Sequence, residues 1–257
     1  MTLVIDIALD YALSAPTDCL LQLRAAQMPD QSVPVETLDF GSLETWEGPA
    51  QDGVGTRIWC RPEGTLVCRY HAEVEIARKT PDIAGLPASA PADLPSEVVK
   101  YLFPSRYCPS DKFLSFVAQE FGAFSGGAKV AAMRDFVASN LTYVPGASTP
   151  ETSALETFVT RQGVCRDFAH MLITLLRAGT IPARFVSAYG LNVTPPDFHA
   201  VVEVWLDGAW HLIDPSGMTV PWDLARISVG RDATDVAFLT TYGPAVLQHQ
   251  SVRVNAR

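Results

Sequence analysis

The chain has 257 residues, 48% of them hydrophobic and 18% charged, with a net charge of −9. This composition excludes disorder, collagen and coiled coil, and the length allows one or two domains. With an acidic balance and no basic run, neither nucleic acid nor an anionic membrane surface is an expected partner.

Residues 1–10 contain no Lys or Arg and are interrupted by Asp6 and Asp10, so they do not read as a signal peptide. No run of about 18 apolar residues reads as a membrane span. The five cysteines, Cys19, Cys60, Cys68, Cys108 and Cys165, are odd in number, irregularly spaced and free of any Cys-x-x-Cys pair. They predict a reduced, cytoplasmic protein with no disulfide framework, no metal site and no cofactor.

In chain order, Leu3, Ile5, Ile7, Leu9 and Tyr11 alternate with more polar residues, and so do Leu66, Cys68, Tyr70, Ala72, Val74 and Ile76. Period two predicts half-buried strands. Arg61-Pro62-Glu63-Gly64 reads as the turn of a hairpin between Thr56–Cys60 and the second of these strands. A β-sandwich domain over residues 1–80 follows. Residues 81–95 carry Pro81, Pro87, Pro91 and Pro95 among small residues, which predicts an extended Pro/Ala-rich connector and a domain boundary.

A second domain is then expected over residues 96–257. Helices are predicted for Lys112–Phe121 behind Ser110-Asp111, from Gly126-Gly127 to Asn140, for Ala154–Arg161 behind Ser153, and from Cys165 to Gly179. Strands are predicted for Ala183–Tyr189, Phe198–Leu206, Ala209–Asp214 and near Ala245–Val252. The fold class is α+β: an N-terminal β-sandwich followed by helices packed on an antiparallel sheet.

Cys165 opens a helix directly after Gly163-Val164 and next to Arg166. Unpaired N–H groups at a helix start favour a thiolate, although a free cysteine is as often a small buried hydrophobe. Asp207-Gly208 is a strong two-residue turn signal. It pairs Leu206 with Ala209 and Val201 with Asp214, so side-chain alternation puts His199 and Asp214 on one face as diagonal neighbours, about 5–8 Å apart at Cβ. Thiol, imidazole and carboxylate are the groups that nucleophilic acyl transfer requires.

The segments Gly163–His170, Ile181–Ser187, His199–Trp205 and Trp210–Pro215 resemble the bacterial transglutaminase-like superfamily, in the cysteine protease and amidase branch with an N-terminal β domain. Tyr101–Tyr107 and Gly230–Ala233 are similar to the same subgroup. The resemblance implies a papain-like transglutaminase core in which Cys165 is the nucleophile, His199 the general base and acid, and Asp214 the orienting carboxylate. It implies a cysteine-dependent hydrolase or acyltransferase acting on peptide or carboxamide bonds through a thioester, with a peptide or protein substrate. Animal members usually carry Trp after the nucleophile, where this chain has Arg166. The absence of an Asp-x-Asp-x-Asp-Gly loop leaves calcium activation unimplied.

Other polar residues have structural readings. His170 lies about 140° around the helix from Cys165 and suits core packing or a bond to a nearby loop. Asp167 suits the helix dipole. Arg166 calls for a carboxylate partner, with Asp232 and Glu203 as candidates. Gln162 and the Cys165 backbone N–H are candidate oxyanion donors. Trp205 and Trp210 pair on the His199 face, either as cleft walls or as packing. An arylamine N-acetyltransferase-like protein has the same Cys, His, Asp order, but begins with helices rather than strands. A non-catalytic scaffold retaining the fold has no need of all three residues.

Overall fold

The alternating segments of the first third fold into two antiparallel sheets, here described from a computed structural model of residues 1–257. The strands in order are β1 (Thr2–Leu13), β2 (Cys19–Leu21), β3 (Gln31–Asp39), β4 (Thr45–Pro49), β5 (Thr56–Cys60) and β6 (Thr65–Ile76). Leu3, Ile5, Ile7 and Leu9 of β1 are buried, while the residues between them are more open. They share one core with Cys19 and Leu21 of β2, Ile58 and Cys60 of β5, and the inward residues of β6. The two sheets therefore pack face to face as a sandwich.

Two expectations are corrected here. Strands β5 and β6 do not form a hairpin: β5 pairs with β2 and β4, and β6 with β1 and β3. The Arg61–Gly64 segment instead crosses from one sheet to the other. Alternation identifies a strand but not its neighbour. The division that gave all of 96–257 to the core also fails at its far end. Strands β13 (Leu239–Thr241) and β14 (Ala245–Ala256) return to the sandwich, β13 beside β2 and β14 beside β1, giving sheet orders β13-β2-β5-β4 and β14-β1-β6-β3.

The Pro-rich segment is not a free linker. It holds two short 3₁₀ turns, and Ile83 and Leu86 pack on the core of the second half. The Gly127 N–H donates to Leu86 O at 2.8 Å, and the Asp207 N–H to Pro87 O at 3.0 Å. A short helix, α1 (Ser96–Val99), follows. Helix α2 (Leu114–Phe121) starts later than predicted, behind a 3₁₀ turn at Ser110–Lys112. Helices α3 (Gly126–Asn140), α4 (Ala154–Thr160) and α5 (Cys165–Ala178) fall where sequence placed them, as do β9 (Ala183–Gly190), β10 (His199–Leu206) and β11 (Ala209–Ile213).

Strand β12 (Leu224–Gly230), not expected from sequence, completes the antiparallel sheet β11-β10-β9-β12. All seven of its residues are buried, so it lacks the alternation that marks a half-buried strand. Ala169, Leu172, Ile173 and Leu176 of α5 pack on Phe185, Val202, Val204 and Leu206 of this sheet. Tyr189, Ala225 and Ile227 join the sandwich core, so sheet and sandwich are continuous. The α+β class, a β-sandwich followed by helices on an antiparallel sheet, is the observed architecture. No helix is long and apolar enough to cross a membrane.

Candidate active site

Local chemistry fixes where α5 begins. Ser153 and Glu156 form a capping box on α4, and Arg161 ends that helix with φ 58°. The chain then runs through β8 (Gln162–Gly163), parallel to β7 (Thr142–Tyr143). A Cβ on Gly163 would lie 2.6 Å from Asp167 Cβ. Only glycine lets the buried Asp167 fold back and accept the Val164 N–H at 2.8 Å. That bond satisfies one orphan donor of the first turn, of which Cys165 is the first residue.

Cys165 is half-exposed, whereas Cys19, Cys60, Cys68 and Cys108 are buried. Burial pushes the thiols of Cys60, Cys68 and Cys108 up to about 12. The Cys165 side chain lines a cavity of about 680 Å³ together with His199.

His199 is positioned by the hairpin of β10 and β11. Leu206 pairs with Ala209, Trp205 with Trp210 and Glu203 with Leu212, the register that Asp207-Gly208 predicts. His199 Nε2 meets Asp214 Oδ2 at 2.9 Å, with both side chains almost wholly buried. Asp214 Oδ2 also accepts the Thr219 N–H at 3.0 Å, and Oδ1 accepts the Ser216 N–H at 2.9 Å and the Ser216 hydroxyl at 2.6 Å. His199 Nδ1 is buried and has no hydrogen-bond partner. Burial opposes an imidazolium at His199, but the bond to Asp214 and the neighbouring Cys165 sulfur raise it to about 9. Burial works against the Asp214 carboxylate too, and the bond to His199 and those to Ser216 outweigh it and hold Asp214 below its usual range.

The structure thus brings Cys165, His199 and Asp214 to one end of the sheet. It does not bring the other candidates with them. The Gln162 side chain is exposed and lies outside the cavity, because pairing with β7 turns it away. Trp205 and Trp210 stack edge to face at 5.2 Å at the opposite end of the hairpin, where Trp210 packs on Tyr101 and under Arg184. They share the face of His199 but not its end, so they do not wall the cleft. Arg166 pairs with Asp167 at 3.2 Å and donates to Thr149 O at 2.7 Å, not to Asp232 or Glu203. Those two are engaged elsewhere: Glu203 by Arg184 and Arg226, Asp232 by the N–H groups of Tyr107 and Thr234. His170 is buried against Tyr107 and accepts the Ala233 N–H at 3.2 Å, and burial drives its pKa down to about 3.

Three groups at the site escaped the sequence reading. Burial, with the neighbouring Cys165 sulfur adding to it, pushes the Tyr143 hydroxyl up to about 12. Phe198 and Phe238 stack at 4.2 Å in the cavity wall, and Arg106 lies over the Tyr107 ring at its mouth. Tyr143, Phe238 and Arg106 come from three distant segments, and no spacing rule joins them.

A model of the transglutaminase-like superfamily matches residues 116–215, the span from α2 through Asp214. A crystal structure from Cytophaga hutchinsonii, described as a candidate cysteine protease, superposes with a TM-score of 0.94 at 32% identity, covering 99% of this chain and 90% of that one. An uncharacterized protein of Mycobacterium leprae is 31% identical over 146 residues, 53% of this chain and 52% of its own length. One of Mycobacterium tuberculosis is 30% identical over 171 residues, 60% of this chain and 53% of its own length. The chain spans about half the length of the curated relatives it matches. With a relative 32% identical along nearly its whole length and the family model running through both Cys165 and the hairpin, this chain belongs to the transglutaminase-like superfamily and has the fold of its cysteine-type hydrolases and acyltransferases.

Proposed function

We propose that this protein is a cysteine-dependent hydrolase or acyltransferase acting on peptide or carboxamide bonds, with Cys165 as nucleophile, His199 as general base and acid, and Asp214 as orienting carboxylate. The observation that carries this reading is the division of labour at one ring. Asp214 occupies His199 Nε2, while Nδ1 is buried and unpartnered, and His199 lines the same cavity as Cys165. A proton fixed on Nε2 leaves Nδ1 as the nitrogen that exchanges a proton with the thiol.

In the mechanism, the Cys165 sulfur attacks the carbonyl carbon and a tetrahedral oxyanion forms. The Cys165 N–H, at the helix start and without a partner in its helix, is the donor to that oxyanion. The His199 imidazolium gives its proton to the leaving amine, and a thioester remains on Cys165. Water or an incoming amine then loses a proton to His199 and attacks the thioester, which frees the thiol. The four buried cysteines have no such access.

Iodoacetamide below pH 7, with mass mapping, should label Cys165 first. An activated acyl ester should leave one thioester on that residue, and C165A should fold but form none. Equal labelling of all five cysteines, or thioester formation undiminished in H199A, would overturn the assignment.

A further inference from the structure

The cavity that holds Cys165 and His199 is unusual for so acidic a chain. Arg106 and Arg166 line it, and no Asp or Glu does, although the protein carries a net charge of −9. Both guanidinium groups lie over the ring of Tyr107, with their central carbons 4.9 Å and 5.8 Å from its centroid. The ring is a rigid platform. The Tyr107 N–H donates to Asp232 at 3.0 Å, its hydroxyl to Pro150 O at 2.6 Å, and it stacks on the buried His170 at 5.0 Å.

The two arginines differ in how they are tied. Arg166 is held by Asp167 and Thr149 O. Arg106 is exposed and makes no ion pair or hydrogen bond within the chain. Two like charges over one ring repel each other, and an anion beside them removes that repulsion. A planar guanidinium with free N–H groups matches a carboxylate through two parallel hydrogen bonds. The remaining wall is apolar, with Phe198 and Phe238 stacked and Val236 and Leu239 beside them.

We propose that Arg106 is a specificity-determining residue that receives a carboxylate of the substrate, so that the preferred acyl donor carries an anionic group near the scissile amide and an apolar group that packs on Phe198 and Phe238. This rests on the reading of Cys165 as nucleophile. The carboxylate has two possible sources, an acidic side chain or the C-terminus of a peptide.

The test compares alkylation of Cys165 by iodoacetate, which is anionic, and iodoacetamide, which is neutral and of similar size. Dividing the two rates removes any change in the thiol itself. Relative to the wild type, the ratio should fall about threefold in R106A and about tenfold in R106E, the size expected of one nearby charge under partial screening. R61A, on a distant turn of the sandwich, should keep the wild-type ratio. Peptides paired as Glu against Gln, and as free against amidated C-terminus, then identify the source. The preference in kcat/KM for the acidic member of one pair should be lost in R106A and only partly restored in R106K, which keeps the charge without the fork. An unchanged ratio in both R106A and R106E would overturn the proposal. Failure of iodoacetamide itself to label wild-type Cys165 would instead overturn the underlying reading of the nucleophile.

Discussion

Both oxygens of Asp214 are engaged, and every partner that is a backbone N–H or the His199 ring donates to them. In D214N the amide nitrogen faces an N–H in either orientation, of Ser216 or of Thr219, so one donor always meets another. Where that nitrogen takes the Oδ2 position it faces His199 Nε2 as a donor, so the His199 tautomer reverses and Nδ1 carries the proton. In the serine-protease triad this exchange costs about 10⁴ in rate, and a loss of about 10²–10⁴ in kcat is expected here, with the fold retained. The pH dependence of stability follows from the same pair. His199 is raised to about 9, so its contribution is complete below the ordinary imidazole value near 6.5 and disappears as pH rises through about 9. Asp214 is lowered, so its contribution is present above the ordinary carboxylate value and disappears as pH falls through the lowered one. The difference in urea-unfolding free energy between wild type and D214N should therefore be largest between about pH 4 and 6.5 and shrink toward pH 9. A difference that grows above pH 9 would contradict the pairing. At this scale, Cys165, His199 and Asp214 could be picked out from sequence, because a helix start and a two-residue turn are local signals. Arg106 and Tyr143 could not, because their only link to Cys165 is through space.

At the scale of elements, the connector shows how composition can mislead. Prolines and small residues between 81 and 95 read as a tether, yet Ile83 and Leu86 dock on the helical core. The reason lies in α3. A Cβ on Gly127 would stand 1.6 Å from Ile83 O, and one on Gly126, whose φ is 51°, would stand 2.7 Å from Leu86 O. The paired glycines open α3 to the strap rather than merely starting the helix. G127A should displace the strap and destabilise the protein by about 1–3 kcal/mol, the usual cost of an overpacked site. Limited proteolysis should cut the variant between residues 81 and 95 faster than the wild type. Equal cleavage rates would show that the strap is not held by this contact.

For the whole molecule, an ion-pair network and a returning strand add to the shared core in tying the second half of the chain to the sandwich. Glu203, fully buried on β10, is bound by Arg184 at 2.7 Å and by Arg226 at 2.7 Å. Arg226 also pairs with Asp30 of the sandwich, which Arg78 holds from the other side at 2.8 Å. Arg184 also pairs with Asp52 at 3.4 Å, so three arginines meet three carboxylates between the two halves, and removing the buried Glu203 takes the buried partner from both Arg184 and Arg226. The returning strand is β14, whose register with β1 runs from Leu3–Ala256 to Leu13–Ala245. A chain ending at Gly243 would expose the β1 backbone as a long open edge beside Ile5 and Ile7. Light scattering should find it aggregated at concentrations where the full chain is monodisperse. A monodisperse truncated chain with an unchanged Tm would refute the structural role of β14.

The division between what residues 1–257 state locally and what folding adds follows the range of the forces involved. Alternation marked β1 and β6, and capping marked α4, because side-chain periodicity and cap hydrogen bonds act over a few residues. The Asp207-Gly208 turn went further and set the register that puts His199 beside Asp214, since a tight turn transmits geometry along both its strands. Partners beyond the adjacent turn had no such transmitter. The separation of β5 from β6, the return of β14 to β1, the docking of Ile83 and Leu86, and the gathering of Arg106, Tyr143 and Phe238 around Cys165 depend on burying apolar surface and pairing charge between distant segments. Those energies exist only once the chain is packed, so they leave no pattern along it.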